Sequence, residues 1–250
     1  MSKQTHGEGA NLTRITELRR RRRARKLRSA LLLAAAVLAV AAYFTGVYSE
    51  ALAAAGEAFD SVRIALAPAA GWPVKTGVPE VVQLEGLAGG FVELGKQDLV
   101  VYSGGGNRLR SIQHGYARPA LSAGNSRFCI YSRAGYELRV ESRTQNLYTK
   151  TMDSTIYLCA VADAGQVAVV TDNADSAAAL TVYNSSMQQQ LVWNLTSEQG
   201  VPLRMAFSPD SRRLAAAAVT AVGGQLTTNL YVLGIRQGDP VNVGTEASIP

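Results

Sequence analysis

The rhythm of hydrophobic and polar positions changes three times along the chain. A polar start gives way to a run without charge, Ser29 to Ser49, rich in Ala, Leu and Val. A helical rhythm follows to Leu66, and from Val81 onward the apolar positions come in short runs. A bilayer core of roughly 30 Å takes about 20 helical residues. Ala30 to Tyr48 offers 19, so residues 29–48 are predicted to form a transmembrane helix. Tyr43, Phe44 and Tyr48 gather at its far end, where aromatic rings favour the membrane interface. Beyond it, Leu52, Ala55, Phe59, Val62 and Leu66 recur at steps of three and four, which places them on one face of a helix. Residues 49–71 therefore read as a helical stalk and linker, with a short coiled coil or an interfacial helix as the sharper alternatives. Pro68 and Ala69-Ala70-Gly71-Trp72-Pro73 end the helix.

In residues 72–250 the runs are short and β-rich. Leu99–Tyr102, Phe128–Ser132, Glu137–Glu141, Ile156–Val161, Val167–Thr171, Ala179–Tyr183 and Asn229–Leu233 are separated by clusters of Gly, Asn, Asp and Ser. Many short strands without an intervening helix indicate an all-β domain. A turn also recurs. Ser122-Ala123-Gly124-Asn125-Ser126-Arg127, Ala162-Asp163-Ala164-Gly165-Gln166 and Ser208-Pro209-Asp210-Ser211-Arg212-Arg213 each lead into an apolar strand. Phe128, Val167 and Leu214 follow them at intervals of 39 and 47 residues, a spacing that fits four strands per unit. That is the period of a β-propeller, whereas a β-sandwich would show the turns without the recurrence.

The formal net charge of +6 is unevenly placed. Residues 1–28 hold ten basic side chains against Glu8 and Glu17, while the remainder holds 15 basic and 17 acidic ones. The excess sits largely in Arg19, Arg20, Arg21, Arg22, Arg23, Arg25, Lys26 and Arg28. Next to an apolar run, these residues predict a basic cytoplasmic tail over 1–28 that orients the helix and meets anionic lipid. The chain is thus expected in the cell membrane, single-pass, with its amino terminus cytoplasmic and its carboxy-terminal domain extracytoplasmic. A cleaved signal peptide has the same charge order, and Ala51-Leu52-Ala53 fits a small-residue cleavage site. A nucleic-acid tail is the other rival. No nucleic-acid partner is expected of the β domain, because its near-neutral balance offers no excess cation for a phosphate backbone.

Three segments carry a resemblance. Gly71-Trp72-Pro73-Val74 opens the outer domain, His114-Gly115-Tyr116-Ala117-Arg118-Pro119 precedes the first clear repeat, and Tyr131-Ser132-Arg133-Ala134-Gly135-Tyr136-Glu137-Leu138 follows its strand. With the apolar run, they resemble an uncharacterised bacterial family, a domain of unknown function. The resemblance implies single-pass membrane proteins with a WD-repeat-like propeller outside the cell. Ala206-Phe207-Ser208-Pro209-Asp210-Ser211 is similar to a turn of TolB-like propellers. The resemblance also implies a longer ring than the roughly four units counted from Gly90, so either the chain is C-terminally truncated or the ring is closed by something else.

Candidate chemistry is sparse. The two histidines are His6, in the tail, and His114, beside a glycine at a strand end, where a turn role is the plain reading. Cys129 and Cys159 fall on separate strands. They read as buried apolar cysteines, with a disulfide as the alternative outside the membrane. Gly104-Gly105-Gly106 has no Lys-Ser or Lys-Thr after it and reads as a hairpin turn rather than a phosphate loop. Asp163, Asp172, Asp175 and Asp210 fall in turns without calcium-loop spacing. Asn184-Ser185-Ser186 and Asn194-Leu195-Thr196 match glycosylation acceptors, relevant in a eukaryotic secretory host. No catalytic residue, metal ligand or cofactor is therefore assigned, and the chain is not expected to be an enzyme. The leading expectation is a tethered propeller that binds a protein or surface ligand. A sensory or scaffold subunit, and then a propeller enzyme, are the alternatives.

Overall fold

Helix α1 spans Val47–Leu66. It stops where Pro68 would have to supply an amide proton that it lacks, and the Ala67 amide closes the last turn on the Ile64 carbonyl at 3.3 Å. The computed structural model describes residues 47–236 and 240–247. The basic tail and nearly all of the predicted transmembrane segment lie outside the described residues. Among the described residues, no helix is long and apolar enough to cross a membrane.

Sixteen strands follow among the described residues, and within each sheet every strand pairs antiparallel with its neighbours in sequence. They form four sheets of four strands. Blade 1 is β1 (Val81–Leu87), β2 (Gly90–Gly95), β3 (Asp98–Ser103) and β4 (Arg108–Gln113). Blade 2 is β5 (Pro119–Ala123), β6 (Arg127–Ser132), β7 (Glu137–Ser142) and β8 (Asn146–Thr151). Blade 3 is β9 (Ile156–Val161), β10 (Val167–Thr171), β11 (Ala178–Tyr183) and β12 (Gln189–Leu195). Blade 4 is β13 (Val201–Phe207), β14 (Arg213–Val222), β15 (Gln225–Gly234) and β16 (Pro240–Ala247). First strands of successive blades touch, β1 against β5, β5 against β9 and β9 against β13. Successive four-stranded meanders joined through their first strands are propeller blades.

Cores form between blades because a sheet buries its apolar face against the next layer. Val92, Leu94, Leu99 and Val101 of blade 1 meet Leu121, Phe128 and Ile130 of blade 2. Tyr131, Leu138 and Val140 of blade 2 meet Ile156, Val161, Val167 and Val169 of blade 3. Val170, Leu180 and Trp193 of blade 3 meet Leu214, Ala216, Tyr231 and Leu233 of blade 4. The second strands of blades 2 and 3 are therefore covered on both faces. All five residues of β10 are buried, as are the first five of β6.

The three recurring turns occupy one structural position. Each joins the first and second strands of its blade, and Leu87-Ala88-Gly89-Gly90 is the blade 1 equivalent. These turns stack on one another. The Ala88 amide donates to the Asn125 carbonyl at 2.7 Å, and the Ala164 amide donates to Ser211 Oγ at 3.2 Å. A Cβ on Gly124 would lie 2.6 Å from the Ala162 carbonyl oxygen, so that position has room only for glycine.

The far face of blade 1 is closed by the segment that leads into it. Trp72 packs against Phe91, with ring centroids 5.8 Å apart, and its indole N–H donates to the Gly104 carbonyl at 2.8 Å. Tyr102 donates its hydroxyl to the Thr76 carbonyl at 2.9 Å. Gly106, at φ +84°, sits where a Cβ would meet the Gly71 carbonyl oxygen at 2.7 Å. The Gly104-Gly105-Gly106 hairpin turn thus receives the linker.

Candidate functional site

Antiparallel strands turn at alternate ends, so the turns after β2, β4 and β6 share one end of the blades. There, blades 1 and 2 leave an open cleft of about 820 Å³. The β2–β3 turn contributes Lys96 and Gln97, and the end of β4 contributes Gln113. The β4–β5 connection contributes Gly115, Tyr116, Ala117 and Arg118, and the β6–β7 turn contributes Arg133. Val82 and Pro119 supply apolar wall. Three cations and no carboxylate line it. Its volume falls within the usual range of ligand sites. A second cavity, at the end where the recurring turns lie, is about 270 Å³ and carries Asp163 but no cation.

His114 shapes the cleft from below. The ring is buried. Its Nδ1 accepts the Tyr116 amide proton at 3.1 Å, which assigns the ring proton to Nε2, and Nε2 then donates to the Gly95 carbonyl at 3.1 Å. Both ring nitrogens are used in one neutral tautomer. Burial pushes the His114 pKa below its ordinary value, although the Gly95 bond and Asp98 pull the other way. Gly115, at φ +66°, lets the chain reverse immediately after it. His114 is thus a turn residue that ties β4–β5 to β2–β3.

Tyr116 lies over the His114 ring, with centroids 5.5 Å apart, and donates its hydroxyl to Glu137 Oε1 at 2.8 Å. Burial first, then the Glu137 carboxylate, hold the phenol protonated far above its usual range. Arg118 and Arg133 are exposed, and their loops are joined by the Arg133 amide donating to the Arg118 carbonyl at 2.9 Å. Lys96 pairs with Glu80 just outside the cleft. The neighbouring Tyr131 is pushed up to about 12, chiefly by burial.

Behind the cleft, the blade 1–blade 2 junction holds a buried charge cluster. The Glu141 side chain is fully covered. Arg110 Nη2 lies 3.1 Å from its Oε2, Arg139 Nη2 lies 2.9 Å from its Oε1, and Asn146 Nδ2 donates to Oε1 at 2.9 Å. Glu141 faces two cations, which is how a carboxylate is tolerated away from water.

Other sequence candidates fall elsewhere. Arg19 to Arg23, Arg25, Lys26 and Arg28 lie outside the described residues. Cys129 and Cys159 are buried thiols facing each other across the blade 2–blade 3 junction. Burial, then a hydrogen bond to Cys129, drives the Cys159 thiol well above its ordinary value. Asp172 accepts the Tyr157 hydroxyl at 2.7 Å, and Asp210 accepts the Arg212 amide at 3.1 Å, so both serve their turns. Among the described residues no cluster of His, Cys, Asp or Glu could hold a metal ion.

The sequence reading missed Lys96, Arg118 and Arg133 as a group. An overall charge balance hides cations gathered from three turns. The signal was partly present, because His114–Pro119 and Tyr131–Leu138, picked out for their resemblance, supply two of the three. The third segment, Gly71–Val74, belongs to the cover over blade 1.

Similar folds occur among solved structures. Kuenenia stuttgartiensis hydrazine synthase aligns at 13% identity and a TM-score of 0.49, over 72% of this chain and 52% of that one. The Neurospora crassa Pan2 WD40 domain aligns at 11% and 0.45, over 65% and 51%. The N-terminal domain of Nup159 aligns at 15% and 0.44, over 70% and 51%. The chain spans about half the length of each. No curated protein matches the sequence. The family model of unknown function DUF5711 matches residues 74–237, from the cover over blade 1 to just past the end of β15, and the chain belongs to that family.

Proposed function

We propose that this chain is a membrane-anchored, extracytoplasmic interaction module that binds an acidic segment of a protein partner in the cleft between blades 1 and 2. The observation that carries the reading is the cleft itself: Lys96, Arg118 and Arg133 converge around Tyr116, Gln97 and Gln113 with no carboxylate in the lining. Cations at a partly enclosed surface attract anionic groups, and guanidinium forks pair carboxylates in two-point fashion. The amides of Gln97 and Gln113 and the apolar Val82 and Pro119 suit a peptide better than a bare ion. The lining favours binding, and no catalytic residue is assigned to it. The anchor half of the reading is supported by sequence: the arginine block and the uncharged run that follows it.

The two halves are tested separately. Alkaline phosphatase fused after Leu66 is expected to be active, and a cytoplasm-only reporter before Met1 is expected to fluoresce. Inactive phosphatase in the membrane fraction would overturn the anchor. For the cleft, a fluorescent Glu/Asp-rich peptide is titrated against the purified full chain, and binding is expected to weaken as salt rises. Arg118→Glu combined with Arg133→Glu should cost about 2 kcal/mol or more, the scale of an interface hot spot. Arg212→Glu, exposed on a different blade, should not matter. Equal loss in both variants, or tighter binding of polyphosphate than of peptide, would sink the assignment.

A second reading is favoured by one observation, namely that α1 is bonded to blade 2. Asp60 accepts the Thr144 hydroxyl, and Arg143 donates to Ser61 Oγ and to the Ala88 carbonyl. A helix held this way can pass a change in the propeller to the membrane side, as a sensory or scaffold subunit would.

A further inference from the structure

The end of α1 presents opposite faces to different surroundings. Asp60, Ser61 and Ile64 are half-buried, and the first two hydrogen-bond the β7–β8 turn of blade 2. At 3.6 residues per turn, Phe59, Val62 and Leu66 project from the other side. There they are 70%, 57% and 79% exposed. An apolar stripe left in water marks a contact surface.

The spacing identifies the contact. Phe59, Val62 and Leu66 follow the three-four step of a heptad seam. In the sequence, steps of seven carry that seam back from Leu66 and Phe59 to Leu52, Thr45, Leu38 and Leu31. The flanking positions of the same register are Gly56, Ala58, Arg63 and Ala65. Three are small, so a partner helix can approach closely. In a parallel pair, an e position meets a g position, so Arg63 would meet Ala58 rather than another arginine. A helix lying on lipid would show a broader apolar arc and a Lys/Arg-rich polar face, whereas the polar face of α1 is taken up by blade 2.

We propose that α1 pairs with α1 of a second copy along the Phe59–Val62–Leu66 seam, in parallel. The parallel sense rests on the proposed anchor, which puts every amino terminus on one side, but the pairing does not.

The test uses full-length chains in intact cells, each with one added cysteine. Phe59→Cys, Val62→Cys and Leu66→Cys are compared with Ile64→Cys and with the unsubstituted chain, whose two native thiols are buried. Under mild oxidation, the three seam variants are expected to give a band of twice the chain mass, several-fold stronger than that of Ile64→Cys. Light scattering of the purified chain should give a dimer that Phe59→Asp with Leu66→Asp converts to monomer. Equal crosslinking on both faces, a monomeric unsubstituted chain, or a crosslinked product of another mass would each overturn the proposal. Quenching, by lipid-borne spin labels, of a fluorophore attached to the Phe59→Cys variant would do the same, by assigning the face to membrane. None of these readouts depends on phosphatase topology, so failure of the anchor and failure of the pairing are distinguishable.

Discussion

Two junctions of the same architecture solve burial differently. Between blades 3 and 4 the contact is apolar throughout its centre. Ala160, Ala168, Ala216 and Ala218 bring the sheets close, and Trp193 meets Tyr231 edge-on with centroids 5.0 Å apart. Between blades 1 and 2 a similar apolar heart is continued by Arg110, Glu141 and Arg139. This is also the junction that opens into the cationic cleft. The difference teaches where tight packing is relaxed. Alanines and an aromatic pair close most of one junction, which borders a cavity of about 270 Å³, while the charged junction, with its glycine-hinged connection, opens into a cleft of about 820 Å³.

The sharpest way to break the comparison is to remove its central charge. Glu141→Ala leaves two arginines facing each other at a covered site. Loss of one partner from a buried ion pair costs about 3–5 kcal/mol, to be read from urea unfolding of the purified full chain. Trp193→Ala at the apolar junction should cost a similar amount, about 3–5 kcal/mol. The junctions separate in a second experiment. Replacing Arg110, Arg139 and Glu141 together by Met, Met and Leu should be nearly neutral, or stabilising by about 1–4 kcal/mol, whereas no polar replacement of Trp193 and Tyr231 should recover stability. If Glu141→Ala costs less than about 1 kcal/mol, the level of a surface pair, the cluster is solvated and the contrast fails.

Legibility in the sequence followed coverage. β6, β10 and β11 are buried on nearly every residue, so their sequences are continuous apolar runs, and the spacing alone located them. β4 and β8 are fourth strands with an outer edge in water. Arg108-Leu109-Arg110-Ser111-Ile112-Gln113 and Asn146-Leu147-Tyr148-Thr149-Lys150-Thr151 therefore lack an apolar run. The recurring turns were readable because stacking against the next blade demands small or polar residues at fixed places, as at Gly124 and Ser211. The cover over blade 1 was not, because Trp72 and Thr76 act through contacts 32 and 26 residues ahead. The cleft was hidden for the same reason, being assembled from three turns of which none is unusual alone. Glu141 read as one end of a strand, and its burial depends on Arg110 from another blade.

The smallest predicted effect concerns pH at the cleft. His114 is neutral in the fold because Nδ1 accepts from Tyr116 and Nε2 donates to Gly95, and burial leads the lowering of its pKa from the ordinary 6.5. Between that value and the lower folded one, the unfolded chain binds a proton that the fold refuses. Stability rises with pH wherever the unfolded state holds more protons. The contribution of His114 is therefore complete above about 6.5 and is lost as pH falls through the folded pKa. His6 is the other histidine and lies in the tail, while carboxylates titrate lower. The urea midpoint should accordingly stay level from pH 8 to near neutrality and then decline. His114→Gln keeps a donor and an acceptor on a side chain that does not titrate. It should flatten that decline while leaving the apolar blade 3–blade 4 junction untouched, as reported by Trp193 fluorescence. An unchanged decline in His114→Gln would mean that the pH response comes from another group and that the blade 1–blade 2 end carries no special sensitivity to acid.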